Sequence, residues 1–219
     1  MCIADLHCVK LSRVPMMMSI LFRKIKTARR IGLLRVLHVG LDRFFLSILA
    51  RIYKFDPWHS AAPLSARPYR HTVARLVNEL HPVTVVEVGC GLGGVLSFIN
   101  AAERYGYDID EGAIRAARFL RSKKITFVHG DLSVVSLAHI DVLVLVNWIH
   151  EISPQFLEDI LTPLLPRTHY LLLDAIDPDG PSGYRYKHDF AFLGPHARRL
   201  SVTRPRGEGR SFHLFEVNA

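Results

Sequence analysis

The chain is poor in cysteine. Its 219 residues include three, Cys2, Cys8 and Cys90, in no paired spacing. That excludes a disulfide framework and a cysteine-based metal site, and it fits a reducing, cytoplasmic compartment. Long apolar runs are missing too. Uncharged stretches of the N-terminal region, such as Val14–Phe22 and Phe44–Ala50, fall far short of the roughly 18 apolar residues a membrane span needs. The layout of a secretory signal is also absent, because apolar stretches there alternate with Arg and Lys. Acids are scarce in residues 1–55, where Asp5 and Asp42 stand against eleven Lys and Arg. The remaining residues carry 17 basic and 18 acidic side chains, so the formal charge of +8 belongs to the N-terminal arm. That arm contains no recognisable RNA-binding module, which argues against nucleic acid as a partner.

What is present divides into three parts. Residues 1–55 are a basic amphipathic arm. From Ser19 onward, Ile20, Leu21, Ile25, Leu33, Leu37, Leu41, Phe44, Ile48 and Ile52 recur mostly three or four apart, with Arg and Lys between. This spacing predicts one or two helices. Two uses are open: attachment of residues 19–55 to an anionic membrane surface, or packing on the domain. Residues 56–69 form a linker with three prolines, Pro57, Pro63 and Pro68, and the recognition-type residues Trp58, His59, Arg67 and Tyr69. It is either a surface connector or a lid over a ligand. Residues 70–219 alternate between strand and helix patterns. Near-continuous apolar strands at Val83–Val88, Ile125–Val128, Ile140–Val146 and Tyr170–Leu173 predict a doubly wound parallel sheet. Helices are expected over His71–Leu80, Gly94–Tyr105, Glu111–Lys123 and Pro154–Thr162. At the C-terminus, Arg199–Thr203 and Phe212–Val217 flank the turn Arg204–Arg210 and predict an antiparallel hairpin.

The stretch TVVEVGCGLGG, Thr84–Gly94, holds four glycines in six residues. Gly89, Gly91 and Gly94 satisfy G-x-G-x-x-G, in which a pyrophosphate sits on a helix N-terminus. Glu87, Gly89, Gly91 and Gly93 equally satisfy acid-x-Gly-x-Gly-x-Gly. A carboxylate at Glu87 repels pyrophosphate and tolerates a ligand with positive charge, such as an ammonium or sulfonium. Asp108, seventeen residues after Gly91, ends the second strand, where it can accept from ribose hydroxyls under either reading. Ile109 can pack on a base. Asp131 can accept from an exocyclic amine, with Leu132 against the ring.

These motifs in this order resemble the class I S-adenosylmethionine-dependent methyltransferases. The resemblance rests on EVGCGLG (Glu87–Gly93), YDID (Tyr107–Asp110), HGDL (His129–Leu132), DVLVLVNWIHE (Asp141–Glu151) and the terminal hairpin, and it covers residues 70–219. It implies a Rossmann-like seven-stranded sheet of order 3-2-1-4-5-7-6 with strand 7 antiparallel, and S-adenosylmethionine as cofactor. It also implies that Glu87, Gly89 and Gly91 line the methionine part, Asp108 the ribose, and Asp131 and Leu132 the adenine, with Gly93 and Ile109 as further cofactor-binding candidates. Asn147 would sit near the sulfonium. Arg67 would reach the cofactor's carboxylate if the linker folds over the site.

The cofactor would carry the reactivity, and the protein would align the acceptor and manage its proton. His150, in the fourth-strand loop, is the leading base. His188 beside Asp189 is the second candidate. The aspartates of LDAIDPDG (Leu173–Gly180) read as a turn rather than a metal site. Amino-directed DNA methyltransferases carry Asn/Asp-Pro-Pro-Tyr at the fourth strand; here Asn147-Trp148-Ile149-His150 lacks both prolines. That leaves a hydroxyl ahead, on a small molecule, sugar or lipid-linked glycan. The competing expectations are an NAD(P)-dependent oxidoreductase and a non-catalytic nucleotide-binding module docked through its arm.

Overall fold

A computed structural model describes residues 33–61, 67–177, 180 and 183–218. Residues 1–32 of the arm, residues 62–66 of the linker, and Cys2, Cys8, Pro178 and Asp179 lie outside it. The helices are α1 (Leu33–Tyr53), α2 (Trp58–Ala61), α3 (Tyr69–Asn78), α4 (Glu111–Leu120) and α5 (Pro154–Leu161). The strands are β1 (Thr84–Val88), β2 (Glu103–Asp108), β3 (Ile125–His129), β4 (Ile140–Leu145), β5 (Thr168–Ile176), β6 (Ala197–Thr203) and β7 (Arg210–Val217).

The seven strands form one sheet, ordered β3-β2-β1-β4-β5-β7-β6, as the resemblance implies. β1 to β5 pair in parallel, and β7 runs antiparallel to both β5 and β6. The central strands are buried on both faces because their residues are apolar at successive positions. One core packs Val86, Val88, Leu143 and Leu145 with Leu157 and Leu161 of α5. The opposite face packs Val85, Val142, Val144 and Leu172 against Val73 and Val77 of α3 and Ile114 of α4. A third, smaller cluster seats Leu49 and Phe55 on Ala113 and Ala116 of α4, which docks the last turns of α1 on the domain.

Local chemistry sets the ends of the elements. Asp110 caps α4 by accepting from the Ala113 amide, and Ser153 caps α5 by accepting from Phe156 with Pro154 at the first helical position. The strand order puts the switch point between β1 and β4, so the crevice beyond their carboxyl ends is where a ligand belongs.

One expected element is absent. The helix over Gly94–Tyr105 is replaced by turns and a single 3-10 turn, Leu96–Phe98. Its carbonyls are captured elsewhere. The Asn78 amide donates to Phe98 O at 2.9 Å and accepts from Asn100 N at 2.7 Å, while Arg104 donates to Ile99 O at 3.1 Å. β2 begins at Glu103, inside the expected helix span. β5 is longer than its apolar core suggests, because its register with β7 continues from Leu173–His213 to Ile176–Arg210. Asp174 therefore lies within a strand, not in the loop that follows. The predicted turn after it is present: Gly180 N donates to Asp177 O at 2.9 Å.

Candidate active site

A cavity of about 670 Å³ opens at the carboxyl ends of β1, β2, β3 and β4. Its floor is the glycine loop. Gly89 (φ +74°) and Gly91 (φ +51°) both line it in the left-handed region that favours glycine. Side chains crowd each of them. A Cβ on Gly89 would meet the Trp148 indole, and one on Gly91 would meet His59 Nδ1 at 2.9 Å. Gly93 (φ +66°) does not line the cavity. Its α-carbon faces Phe127 and Arg121, so packing is what requires glycine there.

Three carboxylates follow one another across the strand ends. Glu87, on β1, is 5% exposed and borders the cavity, and its Oε2 has no hydrogen-bond partner among the described residues. Burial pushes its pKa up to about 8, against the pull of Arg70 and the Leu96 amide. Asp108, on β2, accepts from Gly91 N at 2.7 Å through Oδ2 and from Asp110 N at 2.9 Å through Oδ1. Those bonds fix the carboxylate and leave each oxygen a further lone pair. Asp131, after β3, accepts from Ser133 N at 2.9 Å, and the Ser133 hydroxyl and amide hold its pKa below the usual range. Leu132 lies beside it in the core wall. Ile109 is 75% exposed at the rim, its carbonyl 3.0 Å from His129 Nε2.

The linker contributes the opposite wall. Asp56, Trp58, His59, Arg67 and Tyr69 all line the cavity. The Asp56 amide donates to Asp110 Oδ2 at 2.8 Å, and His59 Nε2 lies 3.5 Å from the same oxygen, which pins α2 to the start of α4. Arg67 stacks over the Trp58 ring at 3.9 Å. Its Nη2 is buried with no hydrogen-bond partner among the described residues, and desolvation lowers its pKa.

At the β4 end, Asn147 lines the cavity with φ +82°. A buried network holds it. Asp174 Oδ1 accepts from the Asn147 amide at 2.8 Å, and Asp174 Oδ2 accepts from Arg210 Nη1 at 2.9 Å. Tyr184 and Arg210 both reach Asn147 Oδ1 at 3.3 Å.

The three side chains expected to act as acid or base lie off the cavity. His150 is fully buried beneath the floor. Its Nε2 is 3.1 Å from Asp174 Oδ1 without hydrogen-bond geometry, and its Nδ1 is also without a partner among the described residues. The 3-10 turn Ile149–Glu151 carries Trp148 and Glu151 to the cavity and turns His150 inward. His188 is buried, with Nε2 2.9 Å from Ile149 O, and burial lowers its pKa. Asp189 is exposed and caps the turn at Ala191, accepting from its amide at 3.0 Å. Cys90 is buried with its thiol pKa pushed up, which suits a small packing residue.

Sequence reasoning missed Arg70, Asp56 and Trp148 as cavity residues. Arg70 follows the linker directly. Trp148 follows Asn147, and its Nε1 donates to Val88 O at 2.6 Å, laying the ring across Gly89. An aromatic one residue past a strand end was the available signal.

No protein-family model and no curated protein matches the sequence. Solved structures do. Magnesium protoporphyrin IX methyltransferase (ChlM) from Synechocystis with bound SAH is 18% identical, covering 82% of this chain and 94% of that one, with a TM-score of 0.57. The mitomycin 7-O-methyltransferase MmcR is 13% identical over 78% of this chain and 60% of its own, with a TM-score of 0.59. TehB from Haemophilus influenzae is 15% identical over 67% of this chain and 61% of its own, with a TM-score of 0.55. At such identities the likeness establishes architecture: the chain has the Rossmann-like fold of these methyltransferases.

Proposed function

We propose that the chain is an S-adenosylmethionine-dependent methyltransferase acting on a hydroxyl of a small molecule, sugar or lipid-linked glycan. The observation that carries the cofactor reading is a pair of buried atoms of opposite character lining one cavity, Glu87 Oε2 and Arg67 Nη2, neither with a hydrogen-bond partner among the described residues. A buried charged or polar group without a partner is costly, so a ligand that satisfies both is favoured. An amino-acid zwitterion does so, its ammonium toward Glu87 and its carboxylate toward Arg67.

The remaining residues fit the rest of the cofactor. β1, β2 and β3 are neighbours about 4.8 Å apart, so a ligand laid across their ends meets Glu87, Asp108 and Asp131 in turn. Those acceptors suit an ammonium, a ribose diol and an adenine amine, in that order. When bound, the cofactor supplies an activated methyl group on a sulfonium. The NAD(P) alternative is less favoured, because the glycine loop opens onto no α-helix whose N-terminus would hold a pyrophosphate.

For the acceptor, Asn147 and Glu151 border the cavity on the β4 side of Glu87. We assign proton acceptance to Glu151, since His150, His188 and Asp189 lie off the cavity. The missing Pro-Pro pair after Asn147 supports a hydroxyl over a base amine.

Titration calorimetry with S-adenosylmethionine, S-adenosylhomocysteine, NAD and NADP tests the cofactor. Binding of the first two is expected; uptake of a nicotinamide coenzyme with no heat from either sulfur compound overturns the reading. Methyl transfer onto polar glycans, lipid-linked glycans and RNA tests the acceptor, and labelling of RNA alone rejects a hydroxyl on a glycan or small molecule.

A further inference from the structure

Helix α1 uses one face to dock and leaves the other uncovered by the described residues. Leu46, Leu49, Ala50 and Tyr53 pack toward α4. On the opposite face Leu37, Leu41, Phe44, Phe45, Ile48 and Ile52 are between 42% and 68% exposed. Their spacing of four, three, one, three and four residues makes a single stripe about 100° wide at about 100° per residue. Packing among the described residues therefore does not account for these side chains. A run of large exposed apolar residues of this extent marks an interaction surface.

We propose that this outer face seats the protein on an anionic membrane surface. Charge selects this occupant over a second copy of the chain. Residues 1–55 carry eleven basic side chains and two acids, a net charge of +9, whereas the rest of the chain is close to neutral at 17 basic and 18 acidic. Two arms brought face to face would set like charges against each other. A leaflet of anionic headgroups attracts them, each Lys or Arg near such a surface adding to the binding. Arg43 and Arg51 lie on the helix itself, and Lys54 follows it directly. No helix among the described residues is long and apolar enough to cross a membrane, which suits a stripe lying in the headgroup layer. α1 also leads, through Phe55, straight into Asp56 and Trp58 on the cavity wall, so a helix lying in the interface keeps the cavity close to it. The inference stands independently of the methyl-transfer reading.

Co-sedimentation of the full chain with phosphatidylcholine vesicles, with and without about one third phosphatidylserine, tests it. Pelleting only with the anionic vesicles is expected, and it weakens as salt screens the charges. The double variant Phe44→Glu, Ile48→Glu should bind at least about tenfold more weakly at an unchanged melting temperature, because both side chains are exposed. The variant Arg51→Glu, at the edge of the stripe, repeats the test without touching the apolar residues and should also weaken binding. Equal pelleting with neutral vesicles, or full binding by both variants, overturns the proposal. So does light scattering that finds a dimer which the Phe44 and Ile48 substitutions dissociate.

Discussion

Replacing Glu87 with glutamine should make the unliganded protein more stable, and by an amount that depends on pH. Burial raises the Glu87 carboxyl from 4.5 to about 8, so the folded chain keeps a proton that the unfolded chain has lost throughout that interval. The folded state binds more protons there, and stability falls as pH rises from the unfolded value through the folded one. The contribution is fully present below about pH 4.5 and gone above about pH 8. The difference between 4.5 and about 8, at about 1.36 kcal/mol for each tenfold change, sets an upper limit of about 5 kcal/mol. The side-chain amide of the variant does not titrate, so the difference between variant and wild type isolates this one group. Urea unfolding at about pH 5, 6.5, 8 and 9 should give two curves that run together at the acid end and separate by several kcal/mol at the alkaline end. A constant difference at every pH refutes the argument. The same proton should report on the ligand. At pH 7 a carboxyl with pKa about 8 is about nine-tenths protonated, and a bound ammonium favours its ionised form. S-Adenosylmethionine binding should then release close to one proton, read by calorimetry in buffers of different ionisation enthalpy.

Further outcomes follow from other parts of the site. Arg67→Ala should weaken S-adenosylhomocysteine binding by about tenfold to a hundredfold, the range of a charge-assisted hydrogen bond, as calorimetry can measure. Gly89→Ala drives a Cβ into the Trp148 ring at a backbone φ of +74°, so the indole must move and tryptophan fluorescence should shift. Asp174→Asn leaves Arg210 buried without its counter-charge and should cost about 3–5 kcal/mol in chemical denaturation. Glu151→Gln should lower methyl transfer about a hundredfold or more while the thermal shift with S-adenosylhomocysteine stays as in wild type.

The sheet was legible because its signals are local. Val85, Val86, Val142, Val144 and Leu172 come in runs that suit a strand buried on both faces, and alternation with helices points to a parallel sheet; the order of the seven strands came from the family resemblance. The carboxylates at strand ends were legible for the same reason, since Glu87, Asp108 and Asp131 each stand one step from a glycine or a strand boundary. What the sequence hid depends on contacts distant along the chain. The helix after Gly94 fails because Asn78 takes its carbonyl and amide from another helix. The direction of His150 depends on one turn of 3-10 helix, which periodicity does not report. The linker closes on the cavity through Asp110, a residue 54 positions from Asp56. Gly93 read as part of the loop's ligand surface because spacing cannot separate a glycine facing a cavity from one facing Phe127.

The inward turn of His150 changes what the buried polar cluster is for. A histidine fully enclosed beside Asp174 has no route to an acceptor in the cavity, so its presence has to be explained by what Asp174 holds. That carboxylate spends one oxygen on the Asn147 amide and the other on Arg210. Asn147 in turn sits at φ +82°, a left-handed conformation that asparagine adopts more readily than most non-glycine residues. Asp174 holds its backbone amide, while Arg210 and Tyr184 donate to its side-chain oxygen and fix the side chain at the mouth of the crevice. His150 fills the space beside the carboxylate that holds the Asn147 backbone amide.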